Sequence, residues 1–240
     1  MGEFIDLHCH CVPGIDDGVR TIGDSITMLR MLADVGFGRV IATPHMCTGA
    51  YDNDRLSIQR AFALLLPHVV SSDVHTSLDL ASEHYLDDVV FRRIMSGEGL
   101  PYPGGRAVLL EWGRDRLPLK LMDRLFDIRC RGMRPVIAHP ERYRACWTDM
   151  SVMESLVDGG AVLLMNIGSV AGEYGSGVRI AAERMLDAGL YYAACTDAHR
   201  LSDIDYVVEG IERMRSLVGA KECEFMLRDG PLRVLAGNAD

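Results

Sequence analysis

An α/β barrel of about seven parallel strands, each followed by a helix, is the fold class that this sequence predicts. Three observations point to it. Short apolar runs of strand length alternate with stretches of helical period. A His, Asp or Glu stands at the polar end of most of these runs, and in (β/α) barrels the C-terminal strand ends carry the chemistry. These polar ends are also spread along the whole chain. A doubly wound open sheet, the alternative architecture, would gather such residues from only a few strands at its switch point.

The elements follow in order. Residues 4–8 read as the first strand, and a Pro-Gly-Ile-Asp-Asp-Gly loop occupies residues 13–18. Ile22, Ile26, Leu29, Leu32 and Ala33 are spaced for a helix over 22–35, with Gly36 as its C-cap. A second strand ends at His45, and a helix carrying Leu56, Ala61, Leu64 and Leu65 is expected to stop at Pro67. Further strands are predicted over 77–83, 107–112, 134–139, 161–166 and 190–196. Helices are predicted up to Met95 and over 120–130, 152–157, 179–188 and roughly 203–217.

The bulk properties narrow the class. A chain of 240 residues with 48% apolar content supports one large core, so residues 1–240 are expected to form a single domain. The net charge of −9 argues against a nucleic-acid binder. The seven cysteines are scattered and form no CxxC pair, which points to free thiols in a reducing, cytoplasmic setting. No signal-peptide pattern and no membrane-length apolar run occurs.

The chemistry-bearing residues cluster at the predicted strand ends. In His8-Cys9-His10 and Asp197-Ala198-His199 the outer residues lie two apart, so on a strand they share a face. His45, Glu111 and His139 end three of the apolar runs. A barrel would bring these together as an imidazole and carboxylate site without thiolate, suited to Mn, Fe or Zn. Buried without partners, such groups would be costly. His68, His75 and His84 fit no such pattern and read as structural or exposed. Cys9 and Cys11 fall on the opposite strand face and read as packing. No cysteine precedes an arginine at the spacing of a thiolate phosphatase loop. Asn166 ends a strand on the same face and either orients a ligand or caps the next loop. Tyr143, Trp147 and Tyr174 lie near the predicted top loops, where they could receive an aromatic substrate.

Several ordered segments carry a resemblance. Asp6-Leu7-His8-Cys9-His10, Gly14-Ile15-Asp16-Asp17-Gly18, Ala42-Thr43-Pro44-His45, Ser82-Glu83, Leu110-Glu111, Ala138-His139-Pro140-Glu141-Arg142-Tyr143 and Thr196-Asp197-Ala198-His199 resemble, in sequence order, the PHP (polymerase and histidinol phosphatase) superfamily. The IDDG, ATPH and AHPERY segments are similar to its branch of manganese-dependent bacterial protein-tyrosine phosphatases of capsule and exopolysaccharide operons.

The resemblance implies a distorted (β/α)7 TIM-like barrel of the PHP type and three divalent metals, manganese by preference. It implies one metal on His8, His10, Glu83 and Asp197, a second on Glu83, Glu111 and His139, and a third on Asp17, His45 and His199. It places Arg142 on the phosphate, and a second arginine a few residues after the Asp-x-His pair. Here that segment offers only Arg200.

The function implied is hydrolysis of phosphotyrosine on a protein, with a bacterial tyrosine kinase tail as the expected partner. Two other readings use the same residues: a small-molecule phosphatase of the histidinol-phosphatase type, and a non-catalytic metal-stabilised interaction module. A shallow rim would favour a peptide substrate and an enclosed pocket a metabolite. A missing ligand would favour the module. The oligomeric state is left open.

Overall fold

The structure, a computed structural model, describes residues 3–239. Its strands are β1 (Phe4–Cys9), β2 (Phe37–Ala42), β3 (His45–Met46), β4 (Ser77–Leu80), β5 (Glu83–Tyr85), β6 (Ala107–Glu111), β7 (Arg134–Ala138), β8 (Val162–Asn166) and β9 (Ala193–Cys195). The order is β1-β2-β4 in one sheet and β3-β5-β6-β7-β8-β9 in the other, with every pair parallel. Two predicted strands are each broken in the middle. β2 and β3 are one run interrupted at residues 43–44, and β4 and β5 are one run interrupted at residues 81–82. Counted as runs, the order round the ring follows the sequence and has seven places.

The chain after β9 returns to β1. Asp197 N–H donates to His8 O at 2.8 Å, and His10 N–H donates to Ala198 O at 2.9 Å. Buried Asp6 fastens the same seam, accepting from Thr196 N at 2.9 Å and from Thr196 Oγ1 at 2.5 Å. The result is the expected TIM-like ring of parallel strands wrapped by helices.

The helices are α1 (Ile22–Val35), α2 (Arg55–Val70), α3 (Asp88–Ser96), α4 (Leu121–Cys130), α5 (Ala145–Thr148), α6 (Ser151–Asp158), α7 (Ile167–Ala171), α8 (Ser176–Asp187), α9 (Asp203–Val218), α10 (Ala220–Glu224) and α11 (Gly230–Ala236). α1 begins with a capping box between Thr21 and Asp24 and ends at Gly36, as its sequence predicts. α2 runs past Pro67 to Val70. The proline removes only one backbone bond, from a carbonyl on the exposed face where water can satisfy it. Buried Val69 keeps the last turn packed.

Two layers of core result from strand alternation. Leu109, Val136, Ala138, Val162, Leu164, Ala193 and Cys195 fill the inside of the ring. Val108, Leu110, Ile137, Leu163, Met165 and Ala194 pack outward against the helices. The sequence pattern did not reveal the C-terminal segment. A π-helical turn (Phe225–Asp229) and α11 follow α10, and Val234 and Leu235 join the inner cluster as a plug for one end of the ring. Cys9 and Cys11 are buried, as packing requires, with Cys9 against Met28. No helix of the described residues is long and apolar enough to cross a membrane.

Candidate metal centre

A bulge in β1 aims the first two histidines. Asp6 pairs with Val40 and Cys9 with Ala42, so β1 spends one residue more than β2 over this stretch. Ile5 and Leu7 therefore join the inner core, Cys9 packs outward, and His8 and His10 reach the open end of the ring. His45 and Glu83 open β3 and β5, Glu111 ends β6, and His139 follows β7. Asp197 and His199 follow β9. Asp17 comes from the loop after β1, which folds back so closely that a Cβ on Gly18 would sit 2.2 Å from His10 O. All nine side chains expected at the site thus meet at the C-terminal strand ends.

Glu83 is at the centre. Its carboxylate lies 3.3 Å from His8 Nε2, 3.4 Å from His10 Nε2, 3.0 Å from His45 Nδ1 and 2.9 Å from His139 Nε2. Asp197 Oδ1 lies 3.0 Å from His8 Nε2 and 3.5 Å from His10 Nε2. Glu111 is 3.2 Å from His45 Nδ1, and Asp17 is 3.4 Å from His45 Nε2 and 3.6 Å from His199 Nε2.

Four sets have ligand atoms within 4.8 Å of one another: His8, His10 and Asp197; His8, Glu83 and His139; His45, Glu83 and Glu111; and His10, Asp17, His45 and His199. They overlap more than the three discrete sets that the resemblance implies. His45 stands between Glu83 and Asp17 and could serve either side.

The donor set fits divalent cations. His8 Nε2, His10 Nε2, His45 Nδ1, Glu83 Oε2 and Asp197 Oδ1 are buried and lack hydrogen-bond partners, although opposite charges lie nearby. Their second nitrogens fix the rings. His8 Nδ1 is hydrogen-bonded to Thr43 Oγ1 at 2.6 Å, His10 Nδ1 donates to Asp16 Oδ2 at 2.9 Å, and His199 Nδ1 donates to Asp197 O at 2.7 Å. Each arrangement leaves Nε2 facing the cluster, which is how outer hydrogen bonds select a ligating tautomer.

The charges hold one another. Burial alone would lower the His8 and His45 pKa values, but Glu83, together with Asp197 for His8 and Asp17 for His45, raises them to about 9 and about 10. Against the opposing effect of burial, the histidines hold the Glu83 and Asp197 carboxyls well below the usual range. A bound cation would take over this work and displace those protons. The backbone is strained at two of the candidate positions: His139 has φ 37° and Asp197 φ 51°, left-handed values that cost about 1 kcal/mol or more at non-glycine residues.

Arg142 lies beside this cluster. Its Nη1 donates to Asp197 Oδ2 at 2.7 Å, and its guanidinium packs over the Tyr174 ring at 4.7 Å from the centroid. Its Nε is buried without a partner, so a side-on edge remains for an oxyanion. Asn166 closes the clamp, donating through Nδ2 to Asp197 Oδ2 and to Tyr174 Oη, both at 3.0 Å. Its Oδ1 accepts from Gly168 N at 2.8 Å, so Asn166 caps the following helix as well as holding Asp197. Arg200 is exposed. It lines side cavities of about 270 and 310 Å³ but not the cavity of about 280 Å³ that holds Glu83, Glu111 and His139.

Of the three aromatics near the top loops, only Tyr174 lines a cavity at the site. Tyr143 is buried and stacked on Trp112 at 4.5 Å. Trp147 donates to Glu141 O and packs where a Cβ on Gly177 would fall.

Sequence reading passed over several supports. Asp16 accepts from His10, Gly18 N and His45 N. Thr43 holds His8. Buried Glu141 accepts from Asn166 N, Ser169 and Tyr191. Asp16 and Glu141 stood inside quoted motifs, so their charge in a predicted loop was the available signal. His84 is buried, bonded to Leu109 O and Leu100 N, and held to a pKa of about 4 by burial.

Comparison with known proteins gives these features a family. Residues 4–236 match the model of the family described as capsular polysaccharide synthesis, CpsB/CapC. The chain is 30% identical to the tyrosine-protein phosphatase YwqE of Bacillus subtilis over 82% of its own length and 78% of that protein's. It is 24% identical to the tyrosine-protein phosphatase CpsB of Streptococcus pneumoniae, over 97% and 98% of the two lengths. A solved structure from work on YwqE and CpsB, described as unique metal-dependent tyrosine phosphatases, superposes with a TM-score of 0.88 at 28% identity, covering 97% of this chain and 94% of that one. The phosphotriesterase homology protein of Escherichia coli, at 13% identity and a TM-score of 0.60, shares the fold alone. A barrel whose strand ends gather this donor set, matched along almost its whole length, places the chain in the CpsB/CapC family of capsular polysaccharide synthesis.

Proposed function

We propose that this protein is a metal-dependent phosphatase that removes phosphate from tyrosine in a protein substrate and so regulates capsule or exopolysaccharide synthesis. One observation carries the reading. Buried, partnerless ligand atoms of His8, His10, His45, Glu83 and Asp197 converge beside an arginine with a free guanidinium edge. In this reading His8, His10, Asp17, His45, Glu83, Glu111, His139, Asp197 and His199 hold three divalent ions. Manganese is the first choice, with iron and zinc as alternatives. Such ions supply Lewis acidity toward phosphoryl oxygens and lower the pKa of water.

The chain's own groups do the rest. Arg142 grips phosphate through its Nε edge while Nη1 stays on Asp197. Asn166 and Tyr174 hold that guanidinium in place. In this reading no cysteine is the nucleophile: Cys47, which lines the site cavity, has its thiol pushed up to about 11 by burial, and buried Cys146 is pushed up to about 12.

Asp17 and His199 line three adjoining cavities, so the site continues sideways from Glu83 and is not one closed pocket. That shape favours a phosphotyrosine in a peptide segment over an enclosed metabolite. The partner in this proposal is the tail of a bacterial tyrosine kinase, met in the cytoplasm, where the free cysteines stay reduced. The ring and its helices act as one catalytic domain.

Rates on a phosphotyrosine peptide and on histidinol phosphate, measured side by side with manganese, test the substrate class. A preference for the peptide supports the proposal. A preference for histidinol phosphate would assign the same site to a small molecule. Inactivity on both, with metals bound, would favour the interaction module.

A further inference from the structure

We propose that Arg114 supplies the second guanidinium at the phosphate site: with Arg142 it lines the cavity that holds Glu83, Glu111 and His139, whereas Arg200 shares only the adjoining one with them. The inference rests on the phosphatase reading above.

Arg114 stands three residues after Glu111, as Arg142 stands three residues after His139. The two arginines thus leave neighbouring strands, β6 and β7, at the same offset from a ligating residue. Both line the cavity that holds Glu83, Glu111 and His139, and both line the adjoining one with Tyr174. Their loops are fastened together. Arg144 N donates to Arg114 O at 2.9 Å, and Trp112 stacks on Tyr143 at 4.5 Å with the rings 15° apart. The relative position of the two guanidiniums is therefore set by backbone and packed aromatics.

Among the described residues, no carboxylate pairs with the Arg114 side chain. Its neighbour Asp115 pairs with Arg144 instead, at 3.1 Å. Burial, then the charge of Arg142, lowers the proton affinity of Arg114, so the two cations feel one another. Like charges held on one cavity without an intervening anion repel, and a phosphate dianion between them turns that repulsion into attraction. The inner edge of Arg142 and the planar fork of Arg114 would then grip different oxygens of one phosphoryl group.

Arg114→Ala, Arg114→Lys, Arg200→Ala and Arg116→Ala are compared as manganese-loaded full chains. Arg116 shares the Arg114 loop but lines neither of these cavities, so Arg116→Ala is the loop control. Binding of inorganic phosphate by calorimetry is measured together with kcat and KM on a phosphotyrosine peptide.

Arg114→Ala is expected to weaken phosphate and lower kcat/KM by roughly thirtyfold or more, the loss of a charge-assisted contact. Arg114→Lys should recover part of both, and Arg116→Ala should stay near wild type. Phosphate binding and kcat/KM within about twofold of wild type in Arg114→Ala, on the scale of that same contact, would overturn the assignment. So would a loss seen in Arg200→Ala but not in Arg114→Ala. A wild-type chain that binds phosphate through Arg114 but does not turn over the peptide would leave the assignment standing and sink the substrate reading instead.

Discussion

The two ends of the ring are built by the same strands and differ in almost every physical respect. Toward the plugged end, β1, β6 and β8 turn Ile5, Ala107 and Val162 inward, in one apolar cluster with Val234 and Leu235 of α11. Toward the open end the continuing chain turns Glu111, His139 and Asn166 inward, and the neighbours of those residues are charged. One end is a packed apolar core. The other is a set of buried charges that only partly satisfy one another and include two strained backbone positions. The difference teaches that stability and function are divided along each strand, so substitutions at the two ends should fail in different ways.

The largest effect is expected at the centre of the open end. Glu83 contacts four histidines, whereas Asp17 contacts two and is half exposed. Glu83→Ala should lose more bound metal and nearly all activity, and Asp17→Ala should lose less of both. Metal analysis of the purified variants checks this, and equal loss would remove Glu83 from its central place.

Next comes Arg142. Arg142→Ala and Arg142→Lys should each lower turnover about a hundredfold or more, because lysine keeps the charge but not the fork. Metal content should stay close to wild type in both. Near-normal kinetics would make the Asp197 contact the whole role of this arginine.

Substitution at the plugged end should invert the pattern. Ile5→Ala empties a buried site near the start of β1 and should cost about 2–5 kcal/mol of stability. Turnover at a temperature where the variant remains folded should change little. A variant as stable as wild type but poorly active would blur the division between the ends.

Much of the open end was legible because ligating side chains at the polar ends of apolar runs are a local signal. Spacing and position at the ends of apolar runs were enough to group His8, His10, His45, Glu111, His139, Asp197 and His199, although a bulge in β1 and left-handed backbone at His139 and Asp197 do the final aiming. Their supports were not legible. Thr43 acts on His8 across 35 positions of sequence, and Asp16 reaches back to His10 only because Gly18 lets the loop close. Arg114 has no local mark at all; its meaning comes from Arg142 on the next strand. The breaks in β2/β3 and β4/β5 were hidden because an apolar run reads the same whether or not its ladder is interrupted. Pro67 misled because a proline near an exposed helix end is far cheaper than one in a helix interior.

The smallest expected effect concerns pH. Burial first, then Asp203 and Asp197, raises Glu173 from the usual carboxyl range to about 7. Its folded pKa exceeds its unfolded one, so the folded chain keeps a proton that the unfolded chain loses. The associated stability is present at low pH, falls as pH rises from about 4.5 to about 7, and stays lost above. The side chain is partly exposed, so the drop should be on the order of 1 kcal/mol. Glu173→Gln should flatten that part of the metal-free stability curve in urea unfolding at pH 5 and pH 8. An unchanged slope would place the Glu173 pKa near its ordinary value.

The central claim is that the open strand ends form one metal centre that performs the chemistry. It is tested most directly by stripping the chain with a chelator, titrating manganese back, and following bound metal and phosphotyrosine hydrolysis on the same sample. The account predicts no hydrolysis in the stripped protein and a return of activity that tracks metal occupancy up to about three ions per chain, the number that the resemblance to the PHP phosphatases implies. Full activity in the metal-free chain, or full occupancy without any hydrolysis, would contradict it.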